Sequence, residues 1–170
     1  MNLNKNLIFL GMMGSGKSSI GYLVSKKLNL NFFDIDRLIE KNEEMTISNI
    51  FKERGEINFR KLEEKITLKT LKSKNSVIAL GGGGFVNEKI RNEIIKNHLS
   101  FWLNWSDHIL LKRIKASKKR PLALNSTPQE IKQLIKRRIK IYSKAQFKIN
   151  CNKLSKSEIV KEVIKNYELC

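Results

Sequence analysis

Short, wholly apolar runs alternate along this chain with stretches whose apolar residues recur at helical spacing. The first run, Leu7-Ile8-Phe9-Leu10, has no polar position and predicts a buried strand. Ile20, Leu23, Val24, Lys27 and Leu28 follow at a helical period. Residues 31–36, Asn-Phe-Phe-Asp-Ile-Asp, predict a short second strand that runs out into two carboxylates. Residues 37–43 read as helical. Another helix opens at Thr46 and stops near Gly55, and a longer one runs from about Glu56 to Lys72 with Phe59, Leu62, Ile66 and Leu71 on one side. Residues 76–80 form a third buried strand, ending in four glycines, 81–84. A helix over 88–97, a strand over 100–103 and a helix capped by Ser106 or Asp107 come next. From 115 to 126 the period is lost in a polar, basic stretch. Thr127-Pro128-Gln129-Glu130 then has the form of a capping box with proline at the first helical position, and its helix extends to about Tyr142. A last strand over 147–150 and a terminal helix capped by Ser155-x-x-Glu158 complete the series. Strands alternating with helices imply a parallel sheet covered on both faces. No internal repeat or linker divides the chain, so residues 1–170 are expected to form one domain.

Between the first strand and the first helix stands Gly11-Met12-Met13-Gly14-Ser15-Gly16-Lys17-Ser18, which fits G-x-x-x-x-G-K-[ST] in full. The chemistry follows from the residue types. Glycines let the backbone turn so that successive N–H groups face one concavity, and the helix beginning there adds its positive dipole end. Lys17 brings a mobile cation for the β- and γ-phosphates, and the Ser18 hydroxyl suits Mg²⁺. The loop predicts binding of a nucleoside triphosphate.

Composition changes that picture little. The 41% hydrophobic content is that of a globular protein. No apolar run approaches the ~18 residues of a membrane span, and the N-terminus has no signal-peptide pattern. Cys151 and Cys170 lack metal-type spacing, and His98 and His108 have no matching partners, so a zinc site is not expected and a cytoplasmic setting is. The charge is unusual, with 34 Lys+Arg against 16 Asp+Glu for a formal net of +18. The lysines are spread along the chain and aromatic residues do not interleave with them. A solvated basic surface is therefore expected, and a specific nucleic-acid partner is not.

Ligands of open parallel sheets bind outside the carboxyl ends of the strands. Three strands here end in the phosphate loop, in Asp34 and Asp36, and in the glycine run. Asp34 suits Mg²⁺ or the orientation of a hydroxyl; Asp36 suits a polyol, or simply the N-cap of the helix from Arg37. Gly81, Gly82 and Gly83 suit either a close backbone approach to a ligand or a wide turn. On the helix from Pro128, Ile131, Leu134, Ile135 and Tyr142 form one stripe, and Arg138 falls inside it while Lys136, Arg137 and Lys140 fall outside. An arginine on an inward stripe needs an anion, either a structural carboxylate or a bound substrate. Arg60 raises the same question beside Phe59, with Glu63 and Glu64 placed to orient it. Arg113 and Arg120 flank and occupy the irregular basic segment, which suits a lid.

Taken together these residues resemble the shikimate kinases over nearly the whole chain. The phosphate loop is Gly11 to Ser18. The D-x-D followed by I-E is Asp34, Asp36, Ile39 and Glu40. The pattern F-x-x-x-G-E-x-x-F-R-x-x-E is met by Phe51, Gly55, Glu56, Phe59, Arg60 and Glu63. The triple glycine is Gly81 to Gly83, the lid's R-P-L is Arg120, Pro121 and Leu122, and R-x-x-x-Y is Arg138 and Tyr142. A fourth glycine with Phe85, and Ala123 after R-P-L, depart from the family pattern and bear on local fit and lid packing.

The resemblance implies a three-layer α/β P-loop NTPase fold with a five-stranded parallel sheet, a helical substrate region at about 34–62 and a lid at about 114–126. It implies a monomer that phosphorylates the 3-hydroxyl of shikimate with ATP and Mg²⁺, in aromatic amino acid synthesis. Gly14, Ser15, Gly16, Lys17, Ser18, Ser19, Arg113 and Arg120 would bind ATP, with Arg113 against adenine and Arg120 at the γ-phosphate. Ser18 and Asp34 would hold the metal. Asp36, Phe59, Arg60, Gly81, Gly82, Gly83 and Arg138 would bind shikimate, the two arginines clamping its carboxylate. Lys17, Asp34 and Arg120 would be catalytic. A kinase for gluconate or a nucleoside monophosphate would share the phosphate loop without needing that clamp, and a non-catalytic basic binding protein would need neither.

Overall fold

The computed structural model describes residues 5–116 and 126–170. Among them five strands, β1 (Leu7–Leu10), β2 (Asn31–Asp34), β3 (Ser76–Ala79), β4 (Leu99–Asn104) and β5 (Phe147–Asn150), form one sheet in the order β2-β3-β1-β4-β5. Every pairing is parallel, with Leu7 opposite both Val77 and Leu99, Asn31 opposite Ser76, and Phe101 opposite Phe147. The helices are α1 (Lys17–Leu28), α2 (Ile35–Glu43), α3 (Ile47–Leu71), α4 (Glu88–Asn97), α5 (Asp107–Lys115), α6 (Pro128–Tyr142) and α7 (Lys156–Glu168).

Central β1 has no solvent face, which is why its four residues are all apolar and buried. Successive side chains point to opposite sides of the sheet, and the core divides accordingly. Ile8, Leu10, Ile78, Leu80 and Trp102 pack with residues of α2, α3, α4 and α6. Leu7, Phe9, Val77, Phe101 and Ile149 pack with residues of α1 and α7 on the other side. On that second side Phe101 stacks between Phe9 and Phe147, with centroids 5.7 and 4.9 Å away.

One expected boundary moves by two residues. β2 ends at Asp34, because the Asp34 side chain accepts a hydrogen bond from the Arg37 amide at 3.2 Å and caps α2. Of the two readings of Asp36 the N-cap is set aside, because Asp34 takes that place and Asp36 sits in the first helical turn. The helix expected to stop near Gly55 and the one expected from about Glu56 are both present: Gly55, with φ of 75° and ψ of 168°, is non-helical and divides α3 into two helical segments. The capping boxes at Thr127 and Ser155 are both formed. The fourth glycine opens a turn of 3₁₀ helix over Gly84–Val86 that buries Phe85 in the core. Arg120, Pro121, Leu122 and Ala123, and most of the lid expected at about 114–126, lie outside the described residues.

No helix among the described residues is long and apolar enough to cross a membrane.

Candidate active site

The carboxyl ends of β1, β2 and β3 meet at one cavity of about 340 Å³, walled by the phosphate loop, α2, α3, the glycine run and α6. The loop takes the backbone shape its glycines permit, with φ of 142° at Gly11, 83° at Gly14 and 88° at Gly16. A side chain at Gly11 would also strike the Leu103 carbonyl, at 2.9 Å from its Cβ. The Ser15 amide closes a turn on the Met12 carbonyl at 3.1 Å. Lys17 is buried and its Nζ donates to the carbonyls of Gly11 and Met12 at 3.0 and 3.1 Å, which holds the ammonium against the loop. Ser18 and Ser19 are exposed on the first turn of α1, beside Gly14, Gly16 and Lys17 in the lining.

Asp36 faces the same cavity. Its pKa is pushed up to about 6, chiefly by burial; Lys17 pulls it back, and Asp34, Glu63 and Glu40 add to the rise. Gly81 is needed for this packing, since a Cβ there would lie 2.7 Å from Asp36 Oδ1.

The two arginines resolve differently. Arg60 is paired on its own helix: Nη1 donates to Glu63 Oε2 at 2.7 Å, and Nη2 and Nε donate to Glu56 Oε1 at 3.1 and 3.2 Å. Glu64 was also expected to orient Arg60, but it faces away and pairs with Asn87 and Lys89 at 2.7 and 2.9 Å. The Arg60 guanidinium lies against the backbone of Gly83, where a Cβ would collide with it, and 5.2 Å from the Phe59 ring centroid.

Arg138 is 7% exposed and, among the described residues, has no carboxylate within ion-pair distance. Its Nη1 contacts Met12 Sδ at 3.6 Å and would lie 3.5 Å from a Cβ at Gly82. One turn later the Tyr142 hydroxyl donates to the Gly82 carbonyl, which fixes the glycine run against α6. Burial raises the Tyr142 pKa to about 12, so it stays a neutral donor. Most of the expected stripe holds: Ile131, Ile135 and Tyr142 are buried, Leu134 is half-buried, and Lys136, Arg137 and Lys140 are exposed.

Arg113 stands on the far side of the loop. It stacks on Trp105 at 3.8 Å from the ring centroid and donates to the Gly14 carbonyl at 3.3 Å. Glu63, expected only to orient Arg60, is among the lining residues that the expected binding set omitted, with Met13, Ile47, Phe51 and Leu80. It is 2% exposed and touches Arg60, and its position three residues after that arginine was the available signal.

Among the described residues no group of three or more His, Cys, Asp or Glu is placed to hold a metal ion. Of the two expected donors, the Ser18 hydroxyl stands in the cavity lining, while Asp34 lies outside that lining with Oδ1 accepting the Arg37 amide; the carboxylates in the lining are Asp36 and Glu63. A few hard oxygens suit Mg²⁺, which keeps several waters and binds through one or two protein oxygens plus substrate phosphates.

A strand–loop–helix phosphate cradle opening onto a pocket lined by the carboxylates Asp36 and Glu63, the buried Arg138 and the half-buried Arg60 defines a P-loop small-molecule phosphotransferase. The family model "Shikimate kinase" matches residues 13–168. A shikimate kinase of Bartonella quintana is 42% identical over 163 residues, which is 95% of this chain and 78% of the relative. The chain belongs to the shikimate kinase family. Among solved structures, a shikimate kinase from Acinetobacter baumannii in complex with shikimate superposes with a TM-score of 0.92 at 27% identity, covering 98% of this chain and 93% of that one. The shikimate kinase of Aquifex aeolicus gives 0.86 at 37% identity, covering 96% of each chain.

Proposed function

We propose that this protein transfers the γ-phosphoryl group of ATP to the 3-hydroxyl of shikimate, giving shikimate 3-phosphate and ADP. The observation that carries the reading is Arg138, a buried guanidinium without a carboxylate partner among the described residues, aimed into the cavity that the phosphate loop enters. A buried, uncompensated cation is costly, and a substrate carboxylate bound by the planar fork removes that cost.

The parts then divide the work. The loop amides and Lys17 hold the β- and γ-phosphates. Asp36 accepts hydrogen bonds from ring hydroxyls, while Arg138 and Arg60 hold the carboxylate against Gly82 and Gly83. Ser18 and Asp34 would hold Mg²⁺, which supplies charge neutralisation at the phosphates. Asp34 also suits the attacking hydroxyl, whose oxygen bonds to phosphorus as the bridge to ADP breaks and whose proton is released. The transition state is loose, so positioning and neutralisation outweigh general-base strength. Arg120, outside the described residues, is assigned the γ-phosphate on the family resemblance alone, and the lid at about 114–126 on the same ground. The protein is taken to act in the cytoplasm as a monomer.

Incubating the protein with MgATP and, separately, shikimate, gluconate and a nucleoside monophosphate, and following products by ³¹P NMR, tests this directly. A phosphate monoester should appear with shikimate alone. A product from either of the others, with none from shikimate, would transfer the loop to a different kinase reaction.

The formal charge of +18 is assigned to a solvated surface, of which the exposed Lys136, Arg137 and Lys140 are a sample. Fluorescence anisotropy with generic duplex DNA at physiological salt should give binding no tighter than the non-specific range of about 10⁻⁴–10⁻⁶ M. A nanomolar, sequence-dependent complex would restore nucleic acid as a partner.

A further inference from the structure

Trp105, the ring beneath Arg113, also bonds the phosphate loop directly. It is half-buried between β4 and α5, and its indole N–H donates to the Ser15 carbonyl at 2.9 Å, 90 residues away in sequence. Arg113, from α5, lies flat on the same indole at 3.8 Å and donates to the Gly14 carbonyl. Two consecutive loop carbonyls are therefore held by one stacked pair of side chains.

In a planar trans peptide the carbonyl and the following N–H point in opposite directions. The indole N–H is a donor only, so its bond to Ser15 O sets the direction of the Gly16 N–H, one of the loop amides. The stack does a second thing. Arg113 is exposed, and without the indole its long side chain would sample many rotamers. With one face on Trp105, the guanidinium is presented as a flat cation beside the loop, a surface on which a nucleobase can stack.

We propose that Trp105 is a positioning residue for the nucleotide, acting through the Ser15–Gly16 peptide on the phosphates and through Arg113 on the base. This inference rests on the reading that the loop 11–18 binds ATP. The alternative is that Trp105 only fills space, since it also packs against both halves of the core.

Calorimetry on Trp105→Phe and Trp105→Leu, with ADP, tripolyphosphate and shikimate as separate probes, decides between them. The leucine variant should bind ADP about tenfold more weakly, the size of losing one stacked layer. Tripolyphosphate, which has no base, should weaken by about threefold, the size of one lost loop hydrogen bond. Shikimate affinity should hold. Phenylalanine keeps a ring under Arg113 but has no N–H, so it should recover most of the ADP loss and none of the tripolyphosphate loss.

The protein has two tryptophans, and ADP should alter the emission of the wild type and leave that of Trp105→Phe, which retains Trp102, unchanged. Wild-type ADP and tripolyphosphate affinity in both variants would overturn the inference. So would equal losses for ADP and shikimate with a lowered melting temperature. Lys17→Met, titrated in parallel, reports on the loop itself. Failure of the nucleotide reading shows there, and failure of the Trp105 inference shows in the Trp105 variants.

Discussion

Lys17→Met is expected to stay folded and to lose phosphoryl transfer almost completely. The side chain is buried, and its ammonium is held by the carbonyls of Gly11 and Met12 in the mouth of the loop. Methionine matches its length and apolar stem, so the packing of α1 against β1 and β3 should survive. On the proposed reading, what disappears is the cation facing the charge that builds on the transferring phosphoryl group. Removing such a contact costs several kcal/mol of transition-state stabilisation, on the order of 10³-fold in rate or more. Coupled ADP release measures the rate, and circular dichroism with a thermal melt checks the fold. Near-normal turnover by a folded variant would remove the loop from the mechanism.

Arg138→Ala should separate the two substrates. Shikimate binding should fall by roughly 2–5 kcal/mol, the range for truncating one partner of a buried, charge-assisted contact, while ATP binding changes little. Lysine at the same position should recover only part of the loss, because it brings charge without the planar fork. Arg137, the next residue, is exposed on the other side of α6, and Arg137→Ala is the internal control with no expected effect. Calorimetric titration of each substrate into each variant gives the answer. Equal losses for the two positions, or a loss confined to ATP, would sink the assignment. The melting temperature is diagnostic as well. Breaking a structural ion pair would leave a buried carboxylate unpaired and cost several kcal/mol, whereas truncating an arginine with no carboxylate partner among the described residues should cost only the lost packing.

Much of this site was legible in the sequence because its residues are placed by local rules. The phosphate loop, the inward position of Arg138 and both capping boxes depend on spacing within one element. The end of β2 was misread by two residues, because Ile35 continues the apolar run and periodicity cannot see a carboxylate folding back to cap a helix. The partners of Arg60 were half legible. Helical geometry allows an arginine at i to reach i−4, i+3 and i+4, and only tertiary packing against Asn87 and Lys89 draws Glu64 away. Trp105 was invisible for a different reason: its meaning lies in a contact across 90 residues, set by β4 lying beside β1 in the sheet. Nothing in the local pattern around it distinguishes it from an ordinary aromatic residue at a strand end.

That Arg138 is buried without a carboxylate partner among the described residues has a bearing on how this chain can change over time. Most substitutions at a core position are selected against because they loosen the fold. Here an apolar side chain of similar volume would relieve a buried charge and tighten it. On the proposed reading the residue is held by what the enzyme does and opposed by what the fold would prefer, a trade of robustness for activity. A lineage freed from the need for its substrate should drift at this position toward methionine or leucine early, while the surrounding stripe of Ile131, Ile135 and Tyr142 stays fixed.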